Sequence, residues 1–349
     1  MEKERKYNID LLRIISIILI VASHYIYHGN IVNESNSIIN IFLGLLVSIG
    51  GKLGANIFIL ISGYFFIENK LKISKVIKMD FKVIIYSLLI YFILVFSNCI
   101  PFDIKDVIKS LFPNISGLYW FFTAFMGLYV VSPILNYIIR NLKKEELRNI
   151  VLIGFILLSI IPTVTSFDPL YSDFIWFIYM YLLGGYIRLY YEKMKCDKKY
   201  YFILFANLII TWILTLILFF TSKSFTMLQS GVYHFTAITS STIVLSAIII
   251  LLIFKNIDIK GILTKRIILK ITPHIFYAYI IHDNPFVRKI LWKKVISEQI
   301  CNSNFMFLNM ILVTFLIFIV CIIIDLMIDM FINIFNFKKF DDKVLKYIN

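Results

Sequence analysis

The chain has 349 residues, of which 60% are hydrophobic and 16% charged, with 35 Lys and Arg against 21 Asp and Glu. Counted as soluble domains usually are, with Gly in and Tyr out, the apolar share is about 58%, against roughly 45–50% apolar and about 25% charged in such domains. With a mean hydropathy of +0.86, these values exclude a soluble enzyme, a disordered chain and a disulfide scaffold, and leave a polytopic membrane protein. The net charge of +14 does not indicate nucleic acid, because the cations sit in short clusters between apolar blocks, where membrane topology places them. Cys99, Cys196, Cys301 and Cys321 form no CxxC pair and no metal-ligand spacing.

A spanning helix takes about 20 mostly apolar residues. Ten stretches qualify in chain order: 8–27, 53–67, 81–99, 118–139, 150–167, 174–190, 200–220, 235–254, 267–290 and 305–335. The first is longer than the roughly 7–15-residue core of a signal peptide and has no small-residue cleavage site, so it reads as a retained span. The second is short: the apolar piece 37–49 precedes it and Gly50-Gly51-Lys52 interrupts. That piece either lies in the interface or extends the helix through a kink. The last is long, and Asp325 and Asp329 predict that it leaves the bilayer before Phe335.

Charge sets the orientation. With the N-terminus in the cytoplasm and alternate crossings, 27 of the 35 Lys and Arg fall inside and 8 outside. This predicts an all-α transmembrane helical bundle of about ten spans with both termini cytoplasmic. Residues 1–349 are expected to form one integral-membrane domain, without an appended soluble domain. One loop dissents, placing Arg288, Lys289, Lys293 and Lys294 outside. Either it holds a functional cluster or the ninth span is misdrawn.

Ionisable groups within a span are costly and mark function by default. The first span reads Asn8-Ile9-Asp10-Leu11-Leu12-Arg13, then Ser16, then Ser23-His24. Arg13 and His24 fall within about 20° of each other around the helix and about 16 Å apart along it. Asp10, three residues before Arg13, is placed to pair with it. Taken singly, Arg13 snorkels to headgroups and His24 sits at an interface; on one shared stripe they favour function. The ninth span carries Pro273-His274 and Tyr277-Ala278-Tyr279-Ile280-Ile281-His282-Asp283-Asn284-Pro285. His282 lies at a depth like that of His24, so both can face one outer cavity. The bland alternative is an interfacial histidine beside a proline break.

In the second span, Ser62 and Gly63 suit close helix packing as well as function. The fourth begins Gly117-Leu118-Tyr119-Trp120-Phe121-Phe122, either an aromatic belt or a stacking platform for a sugar or acyl-carrier ring. Arg188, after Gly184-Gly185-Tyr186, is a snorkelling cation or a phosphate contact.

As an ordered set, these residues resemble the signature of the membrane acyltransferase-3 family, bacterial integral-membrane proteins that O-acylate cell-envelope glycans. Asp10-Leu11-Leu12-Arg13 followed by His24 is similar to its Arg-x10-His motif. Gly54-Ala55-Asn56-Ile57-Phe58 with Ser62-Gly63-Tyr64 resembles its Phe-Phe-x-x-Ser-Gly pattern. Tyr119-Trp120-Phe121 with Gly127-Leu128-Tyr129 and Pro133 resembles its Trp-Phe, Leu-Tyr and Pro stretch, and Tyr279-Ile280-Ile281-His282 its late Tyr-x-x-His. The likeness runs from residue 10 to residue 282. Asn56 and Ile57-Phe58 depart from an aliphatic residue and Phe-Phe, which bears on the acceptor pocket.

The resemblance implies an acyltransferase, an O-acetyltransferase in its commonest form, in the bacterial plasma membrane. The donor is acetyl-CoA or another acyl-CoA from the cytoplasm, with no bound cofactor or metal. The acceptor is a hydroxyl of an envelope glycan or lipid-linked sugar at the outer leaflet. Arg13, oriented by Asp10, positions the donor, and His24 acts as general base or carries the acyl group transiently. His282, Tyr279 and Trp120 line the acceptor pocket, with Ser62, Gly63 and Asn56 as further substrate-binding candidates. Some members carry a C-terminal extracytoplasmic hydrolase-like domain. Without one, the chain is expected to finish the transfer itself or hand the acyl group to a partner protein. The main rival is a transporter or flippase, since broken helices with buried charges also describe carriers; a scaffold or sensor is the third reading.

Overall fold

The computed structural model describes residues 5–68, 71–225 and 231–332. Among the described residues, sixteen α-helices and no strand make an all-α polytopic bundle. They are α1 (Tyr7–His28), α2 (Ile31–Glu34), α3 (Ile38–Phe66), α4 (Ile73–Phe96), α5 (Ile104–Leu111), α6 (Trp120–Asn141), α7 (Lys144–Phe155) and α8 (Ile161–Thr165). There follow α9 (Asp173–Tyr190), α10 (Lys198–Ser224), α11 (Ser241–Phe254), α12 (Ile262–Ile271), α13 (Ile275–His282), α14 (Pro285–Val295), α15 (Glu298–Asn302) and α16 (Met306–Ile332). A π-helical turn, Ile156–Ile160, joins α7 to α8.

Among the described residues, eight helical stretches are long and apolar enough to cross a membrane. They correspond to eight of the ten expected spans. The sixth is α9, only 18 residues long, with Asp173 in its first turn and Arg188 in its last. The ninth is not one helix. Pro273 follows the end of α12, and Pro285 opens α14 behind Asn284, whose side chain accepts from the Phe286 and Val287 amides. Proline lacks the donor that a continuing helix needs but suits a first helical position. The span drawn over 267–290 is therefore three helices, and Arg288, Lys289, Lys293 and Lys294 lie on the separate α14. The cations Lys3, Lys70, Lys338, Lys339, Lys343 and Lys346, and the predicted span end near Phe335, lie outside the described residues.

The piece before the second span extends its helix, the second of the two readings. The helix α3 runs unbroken over 29 residues through Gly50-Gly51-Lys52. These glycines seat α1 rather than end α3. A Cβ at Gly51 would stand 2.4 Å from the Ser23 Oγ, and one at Gly54 would stand 2.5 Å from the Ser16 carbonyl.

Helices α1 and α3 form the centre of the bundle, and α9 lies on the other flank of α3. There Gly63 meets the Tyr181 backbone and Gly184 the Leu60 carbonyl; added Cβ atoms would come to 2.2 and 2.3 Å. Small residues allow this approach in membranes. Gly63→Ala or Gly184→Ala is expected to cost about 1–3 kcal/mol of stability by overpacking. Gly231→Ala, where a Cβ meets nothing within 4 Å, is expected to leave the unfolding midpoint unchanged. Equal midpoints for all three variants would contradict this account. The outer flanks of α10 and α16 expose Phe202, Phe205, Ile213, Leu312, Leu316 and Met327, as a lipid-facing surface requires.

A buried ionic cluster ties α16 to α4 and α13. Lys82 lies 2.8 Å from Asp325 and 3.0 Å from Asp329, and the His274 Nδ1 is 2.5 Å from Asp325. The Tyr86 hydroxyl also donates to Asp325, and the Lys82 ammonium sits 3.8 Å from the Tyr277 ring centroid. Asp325 is thus paired inside the bundle.

Candidate active site

At the end of the bundle away from Tyr7, α1, α3, α6, α13 and α14 enclose a cavity of about 450 Å³. His24 and His28 come from the last turns of α1, Lys52 from α3, and Trp120 and Phe121 from the start of α6. Tyr279 and Asp283 come from α13 and its end, Arg288 from α14, and Tyr233 from the segment before α11.

The proline-broken ninth segment carries His282 to His24, with the His24 Nδ1 3.0 Å from the His282 Nε2. The His282 Nδ1 lies 2.6 Å from the Ala278 carbonyl oxygen. A carbonyl only accepts, so His282 Nδ1 carries a proton, and in the neutral ring Nε2 is left as an acceptor. His24 must then donate from Nδ1. Neutral His24 keeps a free lone pair on Nε2, the form a general base needs. Asp283 Oδ1 stands 3.6 Å from the His24 Nδ1, 3.5 Å from the His28 Nε2 and 3.4 Å from the Arg288 guanidinium. This carboxylate is placed to stabilise positive charge on His24 after it takes a proton, as the acid does in serine-protease triads.

The other predicted residues divide. Trp120 and Tyr279 line the cavity with His24, whereas His282 does not line it and reaches the site only through its contact with His24. Asp10 and Arg13 pair at 3.1 Å, as the spacing predicts, but at the opposite end of α1. Arg5 shares Asp10 at 2.8 Å, and the Arg13 guanidinium lies 5.0 Å from the Phe65 ring centroid. Asn56, Ser62 and Gly63 stay outside the cavity. Asn56 donates to the Ile238 carbonyl at 2.8 Å and accepts from the Trp176 indole at 2.9 Å, Ser62 bonds the Phe58 carbonyl, and Gly63 packs on α9. Arg188 is engaged by Glu68 at 3.0 Å and Glu192 at 2.7 Å, so it serves as a structural cation.

A second cavity of about 430 Å³ opens near the starts of α4 and α13, with Lys72, Lys75, Met79, Tyr129, Ser132 and Tyr277 in its wall. Phe276 lines both cavities. It packs with Phe58 at 6.2 Å and Phe125 at 5.6 Å between ring centroids, forming an aromatic partition between the two spaces.

Among the described residues, two groups have the donors for a metal ion: His24, His28 and Asp283, and His274, Asp325 and Asp329. In the second, the Lys82 ammonium already bridges both carboxylates. In the first, Arg288 supplies the counter-charge to Asp283, and the His24 Nδ1 is committed to His282.

The model of the acyltransferase-3 family, an acyltransferase domain, matches residues 6–326, nearly the whole chain. The chain belongs to the acyltransferase-3 family. Neither a curated protein nor a solved structure gives a match. The match includes both cavities and every site residue from Asp10 to Arg288.

For this membrane acyltransferase, several site residues escaped the sequence reading. His28 had a signal, since it lies four residues after His24 and shares its helix face. Asp283 and Arg288 had weaker ones, as the neighbour of His282 and as part of the dissenting basic loop. Lys52 read only as an interruption of the second span. Nothing in the sequence pointed to Tyr233.

Proposed function

We propose that this acyltransferase moves an acyl group, acetyl in the simplest case, from cytoplasmic acyl-CoA to a hydroxyl of a cell-envelope glycan or lipid-linked sugar. The setting is the bacterial plasma membrane, with its lipid around ten spans and both termini cytoplasmic. In that count α9 serves as the sixth span and α12–α13 as the ninth. The observation that carries the reading is the His24–His282 contact, which leaves the His24 Nε2 as a base on the wall of a sugar-sized cavity.

The acyl-CoA would lie at the basic second cavity, where Lys72 and Lys75 meet its phosphates. Arg13, held by Asp10, would add to that basic end. The thioester would reach the outer cavity past Phe276, which borders both spaces. The acceptor sugar would stack on Trp120, with Tyr279 beside it. His24 Nε2 takes the hydroxyl proton as the acceptor oxygen bonds to the acyl carbon. The thioester C–S bond breaks, and CoA leaves as the thiolate and takes up a proton. Asp283 balances the transient charge on His24. No bound cofactor is required, and the transfer is complete without a partner protein.

Free CoA release is the direct test. Purified protein in lipid, given acetyl-CoA, is expected to release CoA only when crude envelope glycan is added, with label appearing on the glycan. Glycan flux across the vesicle without CoA release would instead favour the carrier reading.

A further inference from the structure

We infer that the acceptor carries an anionic group, a carboxylate or a phosphate, near the hydroxyl that is acylated, and that Lys52 binds it. This rests on the acyltransferase reading above. Lys52 is exposed into the cavity that holds His24, and its ammonium lies 4.7 Å from the Trp120 ring centroid. Among the described residues no carboxylate makes an ion pair with it, and Asp173 and Asp283 act on it from farther away. A cation in a membrane-embedded bundle is costly unless something offsets its charge.

The charge balance of the cavity supports the same conclusion. Its lining holds two permanent cations, Lys52 and Arg288, and one carboxylate, Asp283. Asp283 faces Arg288, His24 and His28 at 3.4 to 3.6 Å, so Lys52 has no carboxylate in contact and feels Asp173 and Asp283 only at longer range. A pyranose ring on Trp120 would bring a substituent of its own within reach of this ammonium. Aromatic face and cation together fit a sugar acid or sugar phosphate better than a neutral sugar.

A second observation lies at the rim. Helix α14, which puts Arg288 in the cavity wall, also exposes Lys289, Lys293 and Lys294. These are the cations that run against the positive-inside pattern, so membrane topology does not account for them. A basic rim raises the local concentration of a polyanion and speeds its capture.

The test uses the full-length protein in phosphatidylcholine vesicles with acetyl-CoA. The acceptors are two pairs: a galacturonic acid tetramer with its carboxyl-reduced form, and maltotetraose 6-phosphate with maltotetraose. Transfer kinetics and equilibrium dialysis are read in parallel. The charged member of at least one pair should be preferred about tenfold. That preference should fall to near unity in Lys52→Gln, through KM and Kd rather than kcat, and return in Lys52→Arg. A preference confined to one pair supports the inference and identifies the anion. Equal use of charged and neutral acceptors by the wild type, or an unchanged preference in Lys52→Gln, overturns it. So does an acceptor-independent change in rate when phosphatidylglycerol replaces phosphatidylcholine, with no charge preference in either lipid; that result assigns the basic rim to lipid headgroups. Charge-dependent binding without transfer to any acceptor supports the Lys52 site and sinks only the acyltransferase reading.

Discussion

His24→Ala lowers acyl transfer by about 10²–10⁴-fold, the usual contribution of a general base, while the protein stays folded. The ring sits on α1 with its side chain 19% exposed, at the edge of a cavity. Its removal enlarges that cavity and takes a partner from His282, which the Ala278 carbonyl still holds at its other ring nitrogen. Alanine also favours the helix. An unfolding midpoint and elution profile like those of the wild type should therefore accompany the loss of rate. Full activity in this variant would remove His24 from the mechanism.

His282→Ala tests the proton arrangement. Without an acceptor at His282 Nε2, the His24 ring is free to turn and to place its proton on either nitrogen. A misplacement of about 1 Å costs roughly 10²-fold in rate, so kcat should fall by about that factor with KM little changed. The same preparations separate the two roles an imidazole can play. A general base releases CoA only when the acceptor is present, whereas an acyl-imidazole would give one equivalent of CoA in a burst without acceptor. No burst is expected.

The sequence made the one-dimensional features legible. Arg13 and His24 on one helix stripe, the aromatic start of α6 and the proline-flanked His282 could all be read from spacing and residue type. Three-dimensional pairings were hidden. Gly50-Gly51-Lys52 looked like a break because glycine weakens an isolated helix, but inside the bundle those residues let α1 approach α3. Asn56 looked like a pocket residue, and only the fold shows its amide consumed by Trp176 and Ile238. The pairing of Lys82 with Asp325 could not be read from the sequence, because the two are 243 residues apart. No local rule connects residues so distant in sequence.

Removing one member of that pair should have the largest effect on stability. Lys82→Ala leaves Asp325, fully buried, with Tyr86 and His274 but without its cation. Breaking one side of a buried pair costs about 3–5 kcal/mol, whereas replacing both sides by apolar residues of similar volume is often neutral. The double variant Lys82→Met with Asp325→Leu should therefore recover most of the unfolding midpoint that either single change loses. Function should not recover with it. His274, held 2.5 Å from Asp325, precedes α13, and Tyr277 lies under the Lys82 ammonium. His282 ends that same eight-residue helix. The cluster thus anchors the start of the helix whose end orients His24. The double variant is expected to be stable but slow, with a kcat loss that does not add to that of His282→Ala, because both act on one contact. Additive losses would separate the cluster from the His24–His282 contact. Single variants as stable as the wild type would show that the buried pair does not hold the bundle together.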